Sequence, residues 1–152
     1  GLGKGRLPAV GNNGTLGSPE LLTMIGKDKL EGLMNISANS AGKGQEKLIE
    51  EFRKRTGEPW MAQDPTSTYG DMWVFAQAME TAKSADRVKV AQAIREMDLK
   101  GGAAQYYPGG RLKFDETGRN VHAQLVISQW QNGVPVVVFP TEIAAAKAIW
   151  PN

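Results

Sequence analysis

The chain has 152 residues, of which 41% are hydrophobic and 22% charged, a balance that fits a folded globular chain and argues against disorder. Its formal charge is only +2 and its basic residues are scattered, with Arg53-Lys54-Arg55 as the densest cluster, so nucleic acid is not an expected partner. No apolar run approaches the about 20 residues that span a bilayer, no signal-peptide pattern opens the chain, and the absence of Cys excludes disulfides, thiolate metal sites and cysteine nucleophiles. The chain has no initiating Met and opens on GLGKGRLP, from which a piece of a longer protein is expected.

Pro8-Ala9-Val10 is a brief apolar run that stops in Gly11-Asn12-Asn13-Gly14, residues that tolerate tight turns, and the pair is expected to be a strand leaving a core. Ser18-Pro19-Glu20 sets a capping hydroxyl, a proline and an acid ahead of Leu21, Leu22 and Ile25, which predicts a short helix ended by Gly26. EGLMNIS predicts a second strand running into the polar segment 38–44. Leu48, Ile49 and Phe52 at helical spacing predict a helix over Gln45 to Thr56, acids early and Arg53-Lys54-Arg55 at its end, where they complement the helix dipole.

YGDMWVFAQAMETA is apolar on most of its surface and is expected to be a long buried helix, with Asp64 ahead of Pro65 as its cap and Trp73 in the core. Ser84-Ala85-Asp86 is expected to cap another helix that packs through Val88, Val90, Ala91, Ala93 and Ile94. RLKF, VHAQLVISQW and VPVVVFP predict strands of a terminal β-meander, with Gln131-Asn132-Gly133 as a hairpin turn, and TEIAAAKAIWPN adds a helical turn.

Catalytic chemistry finds little support. The single histidine, His122, has strand-forming neighbours and no nucleophile elbow to serve, and one His with no Cys makes a poor zinc site. Asp64 and Asp71 read as a cap and an early-helix acid, and Asp115-Glu116 as turn residues. GNNGTLGSP lacks the glycine spacing and lysine of a phosphate loop. No catalytic residue, metal ligand or cofactor is expected. The loop instead offers two carboxamides at the end of a strand and ahead of a helix, where open α/β sheets hold small polar ligands.

The order PAVGNNG, EGLMNIS, RTGE, TYGDMWVFAQAMETA, and above all GGRLKFDETGR followed by QWQNGVPVVVFP, resembles the C-terminal portion of periplasmic solute-binding proteins of branched-chain amino acid ABC transporters. The resemblance implies an α/β chain from a two-lobed type I periplasmic-binding-protein fold whose lobes close on a small solute and deliver it to a membrane permease. On this mapping residues 1–33 end the second lobe, 34–118 complete the first lobe with a hinge crossing, and 119–152 return to the second. The N-terminal half of the family fold is missing from the chain. A fragment, or copies that cover each other by strand exchange or homo-oligomer formation, is therefore expected.

The resemblance also supplies a ligand set of Asn12, Asn13, Gly14, Tyr69 and Asp71. Where relatives that bind aliphatic amino acids carry an acid facing the ligand ammonium, the resemblance sets Asn13 in this chain, which offers hydrogen bonds without a charge and shifts the expectation toward a carboxylate, amide or aromatic acid. Tyr69 matches a tyrosine near the family's cleft, or packs at the hinge as a half-buried ring; Asp71 orients cleft groups, or is a solvated early-helix acid. The implied function is solute binding in the periplasm after export, with a ligand-sensing receptor of the same fold, an interaction module or a small α/β enzyme as alternatives.

Overall fold

The computed structural model describes residues 9–150, and Pro8 of the first predicted strand lies outside them. The chain divides into two compact units, Gly1–Pro65 with Leu125–Asn152, and Thr66–Gln124.

The first unit is built on a four-stranded sheet. β1 (Val10–Asn12) lies parallel to β2 (Met34–Ser37), with Val10 opposite Met34 and Asn12 opposite Ile36. Next comes β5 (Val126–Gln131), antiparallel to β2, and then β6 (Val134–Phe139), antiparallel to β5, giving the order β1-β2-β5-β6. Asn132 and Gly133 between β5 and β6 both have positive φ, 55° and 84°, the backbone that a two-residue hairpin requires and that an Asn-Gly pair adopts readily. The parallel connection from β1 to β2 carries α1 (Pro19–Ile25) and α2 (Lys27–Leu30). Ser18 occupies the N-cap position of α1 with Pro19 at the first turn, but its hydroxyl accepts no bond from a helical N–H; Gly26, at φ 85°, ends the helix as expected. α3 (Glu46–Thr56) ends at Gly57 in the left-handed region. The core of this unit gathers Leu30, Trp60 and Trp130 with the partly buried Leu21, Leu22, Leu33 and Ala62.

α4 (Gln63–Ala82) begins in the first unit and runs on into the second. Its buried positions are Thr66, Gly70, Val74 and Ala78, a stripe at intervals of four made of small side chains. This corrects the expectation of a helix buried on most sides: Met72, Trp73, Phe75 and Met79 are exposed, Trp73 at 47%. The small stripe lets neighbouring backbone approach closely, and the bulky residues occupy the remaining faces. A Cβ on Gly70 would stand 3.1 Å from Tyr106 Cβ and from the Tyr107 ring, which shows how close that approach is. Asp64 lies within the first turn of α4 rather than ahead of it.

In the second unit, α5 (Arg87–Arg95) is capped as expected by Asp86, whose carboxylate accepts from the Val88 and Lys89 N–H groups at 3.0 and 3.1 Å. Removing that acceptor leaves two helix donors without it, so Asp86→Ala is expected to cost about 1 kcal/mol in a urea melt. Only Val90 and Ala93 of the predicted packing face are buried, with Ile94 partly so; Val88 and Ala91 are exposed because the nine-residue helix presents one narrow stripe. They join Val74, Ala78, Met97 and Leu112 in the core of this unit.

The three strands predicted after the helices do not form one meander. β4 (Arg111–Lys113) pairs with β3 (Asp98–Lys100) in a separate antiparallel ribbon, and the second predicted strand, VHAQLVISQW, starts only at Val126. Residues 121–125 are diverted by Asn120, whose side-chain oxygen accepts from the backbone N–H groups of Lys113 and His122 at 3.2 and 3.1 Å, so His122 sits in a turn rather than in a strand. The predicted C-terminal helical turn is replaced by loose turns over 141–146.

Candidate ligand site

The loop after β1 is shaped by its own asparagines and held by two tryptophans. Asn13 continues the extended backbone of β1 at φ −167° and ψ 132°, and its side-chain oxygen accepts from Thr15 N–H at 2.9 Å, which starts the 3-10 turn Gly14–Gly17. Its own N–H donates to Asn35 Oδ1 of β2 at 3.3 Å. The indole N–H groups of Trp130 and Trp60 then donate to the Leu16 and Gly17 carbonyls, each at 2.8 Å. The two rings meet edge to face with centroids 5.5 Å apart, and Trp130 is wholly buried. Both polar handles of the core are thereby spent on the loop, and the loop is fixed to the sheet.

Gly14 opens onto a cavity of about 590 Å³ whose lining belongs to the first unit. Its polar lining includes Asn35, Ser37 and Ser128, all buried, together with Gln63. Gln63 Oε1 accepts from Ala38 N–H at 2.9 Å, and its Nε2 donates to Asp64 Oδ1 at 3.3 Å. A Cβ on Gly14 would lie 2.5 Å from Gln63 Nε2, so only glycine leaves that amide where it stands. Apolar lining comes from Trp60, Met61 and Val137. Glu46 also borders the cavity, and the hydrogen bond it takes from Gly44 N–H holds its carboxyl below the ordinary carboxylate value. Such a lining can orient a small solute through amides, hydroxyls and apolar contact. Among the described residues no group of three or more His, Cys, Asp or Glu is placed to hold a metal ion.

Of the predicted ligand set, Asn12, Asn13 and Gly14 lie together on this loop, Asn12 and Asn13 exposed. Tyr69 and Asp71 lie on α4 in the second unit. There Tyr69 meets Tyr106 edge to face at 5.0 Å and Trp73 at 6.3 Å, and Trp73 stacks on Tyr106 at 6.4 Å. Asp71 accepts a hydrogen bond from the Tyr107 hydroxyl. Burial, then the Asp71 hydrogen bond and charge, hold that hydroxyl well above the ordinary tyrosine value of 10.0. Folding therefore retains the phenolic proton: its contribution is fully present below about pH 10 and lost as pH rises toward the folded-state value. Thermal melts between about pH 9 and about pH 11 are expected to fall more steeply for the native chain than for Tyr107→Phe.

Sequence reasoning does not single out Trp60, Trp130, Asn35 or Gln63. Most of their partners are remote, Trp130 to Leu16 spanning 114 positions, so these contacts are not readable from neighbouring residues. Asp115 is the turn residue that its neighbours predict: it accepts from Thr117 and from Arg119 N–H, which keeps its carboxyl below 3.8.

A sheet with parallel and antiparallel pairs and a ligand-sized cavity beside a strand-end loop make an α/β architecture, and similar proteins specify its family. The family model described as periplasmic binding protein matches residues 3–134, and the chain belongs to that family. It is 26% identical over 149 residues to Leu/Ile/Val-binding protein homolog 7 of Brucella suis biovar 1, covering 94% of this chain and 37% of that protein. Leu/Ile/Val-binding protein homolog 8 of Brucella melitensis biotype 1 is 24% identical over 148 residues, covering 93% and 36%. The chain thus spans a little over a third of the length of these curated relatives.

Among solved structures, the leucine binding protein LivK from Thermotoga maritima superposes with a TM-score of 0.61 at 26% identity, over 84% of this chain and 35% of that one. LivJ from Streptococcus pneumoniae, solved in complex with isoleucine, has the same fold at a TM-score of 0.65 and 16% identity, over 86% and 37%. The fold is of the type I periplasmic-binding-protein kind, and these homologues are solute-binding proteins rather than enzymes. No helix among the described residues is long and apolar enough to cross a membrane.

Proposed function

We propose that this chain is the C-terminal portion of the extracytoplasmic solute-binding component of an ABC transporter. The solute is a small polar molecule, amino-acid-like or a carboxylate or aromatic acid, held between two lobes that close on it in the intact protein, which is exported to the periplasm and hands the solute to a membrane permease. Residues 1–33 and 119–152 belong to the second lobe and 34–118 to the first. Asn12, Asn13 and Gly14 contact the solute from one lobe, Tyr69 and Asp71 from the other.

The observation that carries this reading is the GNNGTLG loop, pinned by two buried indole N–H groups beside a polar cavity that Gly14 opens onto. A loop fixed in place, with the backbone of Gly14 and Gly17 lining a polar cavity, suits recognition of a small solute, because ordering is done before binding. The test is a calorimetric titration of the parent protein with leucine, isoleucine, valine and their deaminated acids. Saturable one-to-one binding is expected, weakened at least about tenfold by Gly14→Leu, which fills the mouth of the cavity. A Gly14→Leu protein that melts and binds like the native one removes the loop from the site, and no saturable binding across the panel contradicts the function.

A further inference from the structure

The three cations that close α3 do not behave alike. Lys54 reaches Glu50 at 2.8 Å and Glu51 at 3.8 Å, and Arg55 lies 4.0 Å from Glu51, so both are answered on the helix surface. Arg53 makes no ion pair among the described residues and lines the cavity of the first unit. Lys43 lines the same cavity and makes no close ion pair among the described residues, though its charge acts on the Glu46 carboxyl of the same lining. Against these two positive charges the cavity lining holds one carboxylate, Glu46, with an oxygen already taken by Gly44 N–H at 2.9 Å. The other polar lining groups, Asn35, Ser37, Gln63 and Ser128 among them, are neutral.

A cavity whose lining carries two cations against one carboxylate, with neutral amides and hydroxyls and an apolar side from Trp60 and Met61, favours one end of a ligand over the other. A carboxylate finds a guanidinium able to hold it bidentately, and an apolar body finds the indole and thioether. The one anionic group of the lining that an ammonium meets is Glu46, which already takes a hydrogen bond from Gly44 N–H and faces the Lys43 charge. We propose that the cavity takes a monocarboxylate with an apolar body, its carboxylate held by Arg53 with Lys43 adding to the positive field, and that it prefers such acids to the zwitterionic amino acids of the same skeleton. The inference rests on the solute-binding reading and narrows its ligand class.

Matched probes separate the two ideas. The parent protein is titrated with leucine and 4-methylpentanoate, and with phenylalanine and 3-phenylpropanoate, each pair differing only in the amino group. In at least one pair the acid is expected to bind at least about tenfold more tightly than the amino acid, with Arg53→Gln abolishing that preference and Arg53→Lys restoring part of it. Arg53 is exposed, so the melting temperatures of both variants are expected to match the native value and to exclude misfolding as the cause. Amino acids bound as tightly as the acids or more so, or a preference unchanged in Arg53→Gln, overturn the inference and leave solute binding intact. Failure of all four probes and of a wider amino-acid and carboxylate panel overturns both.

Discussion

Trp130→Ala is expected to lower the stability of the first unit by about 4 kcal/mol, a large share of what holds a unit of this size together. The ring is wholly buried and packs edge to face on Trp60, so its removal opens a void that β5, paired on both sides, cannot close by shifting. Its N–H also holds the Leu16 carbonyl, which then loses its partner. Urea unfolding followed by far-UV circular dichroism measures the loss. Trp130→Phe keeps most of the packing but no donor and is expected to fall between, with the loop of Asn12 to Gly14 loosened and solute affinity reduced more than stability. Equal losses in both readouts would show that the indole serves packing alone.

The second large effect is expected at Gln129. This side chain is 1% exposed, yet its amide is fully occupied: Nε2 donates to the Gly32 and Ile149 carbonyls at 3.2 and 2.8 Å, and Oε1 accepts from Ile149 N–H at 2.7 Å and from Gln131 Nε2 at 2.9 Å. Gln131 in turn donates to the Lys147 carbonyl at 2.8 Å. The segment 147–149 is thereby clasped to β5 by side chains rather than by strand pairing. Gln129→Leu retains the volume but strands these backbone groups, and about 2–3 kcal/mol is expected to be lost. Much of that loss is relieved if the tail lifts into water. Hydrogen exchange distinguishes the cases, the prediction being faster exchange at Ile149 N–H with the β5–β6 ladder nearly unchanged.

Features written in short-range chemistry were legible from the sequence. The Ser-Pro-Glu start of α1, the Gly26 and Gly57 stops, the Asp86 cap and the Asn132-Gly133 hairpin each depend on residues within a few positions of one another, and the structure forms them where expected. Burial was not legible to the same degree. α4 looks apolar all round, and which side packs was decided by the small stripe from Thr66 to Ala78 that Tyr106 and Tyr107 approach. Val121 to Leu125 has strand composition, but the Asn120 side chain competes for its backbone and wins.

The candidate site divides in the same way. The Asn-rich turn announced a loop at a strand end, and that much is local. The indoles that fix it come from 43 and 114 positions away, and of the two cations that give the cavity its sign, Arg53 comes from a helix end whose three basic residues are indistinguishable in sequence until their ion pairs are seen. Dipole complementation accounts for all three alike; geometry separates Arg53 from its neighbours.

Native mass spectrometry of the parent protein, taken from the periplasmic fraction of its host and then released from its solute by denaturation, tests the central claim most directly. The account predicts a single adduct of small-molecule mass per protein, lost on denaturation, recovered chemically unchanged, and rebinding to saturation. A parent protein confined to the cytosol, or a solute that the protein converts rather than returns, would contradict it.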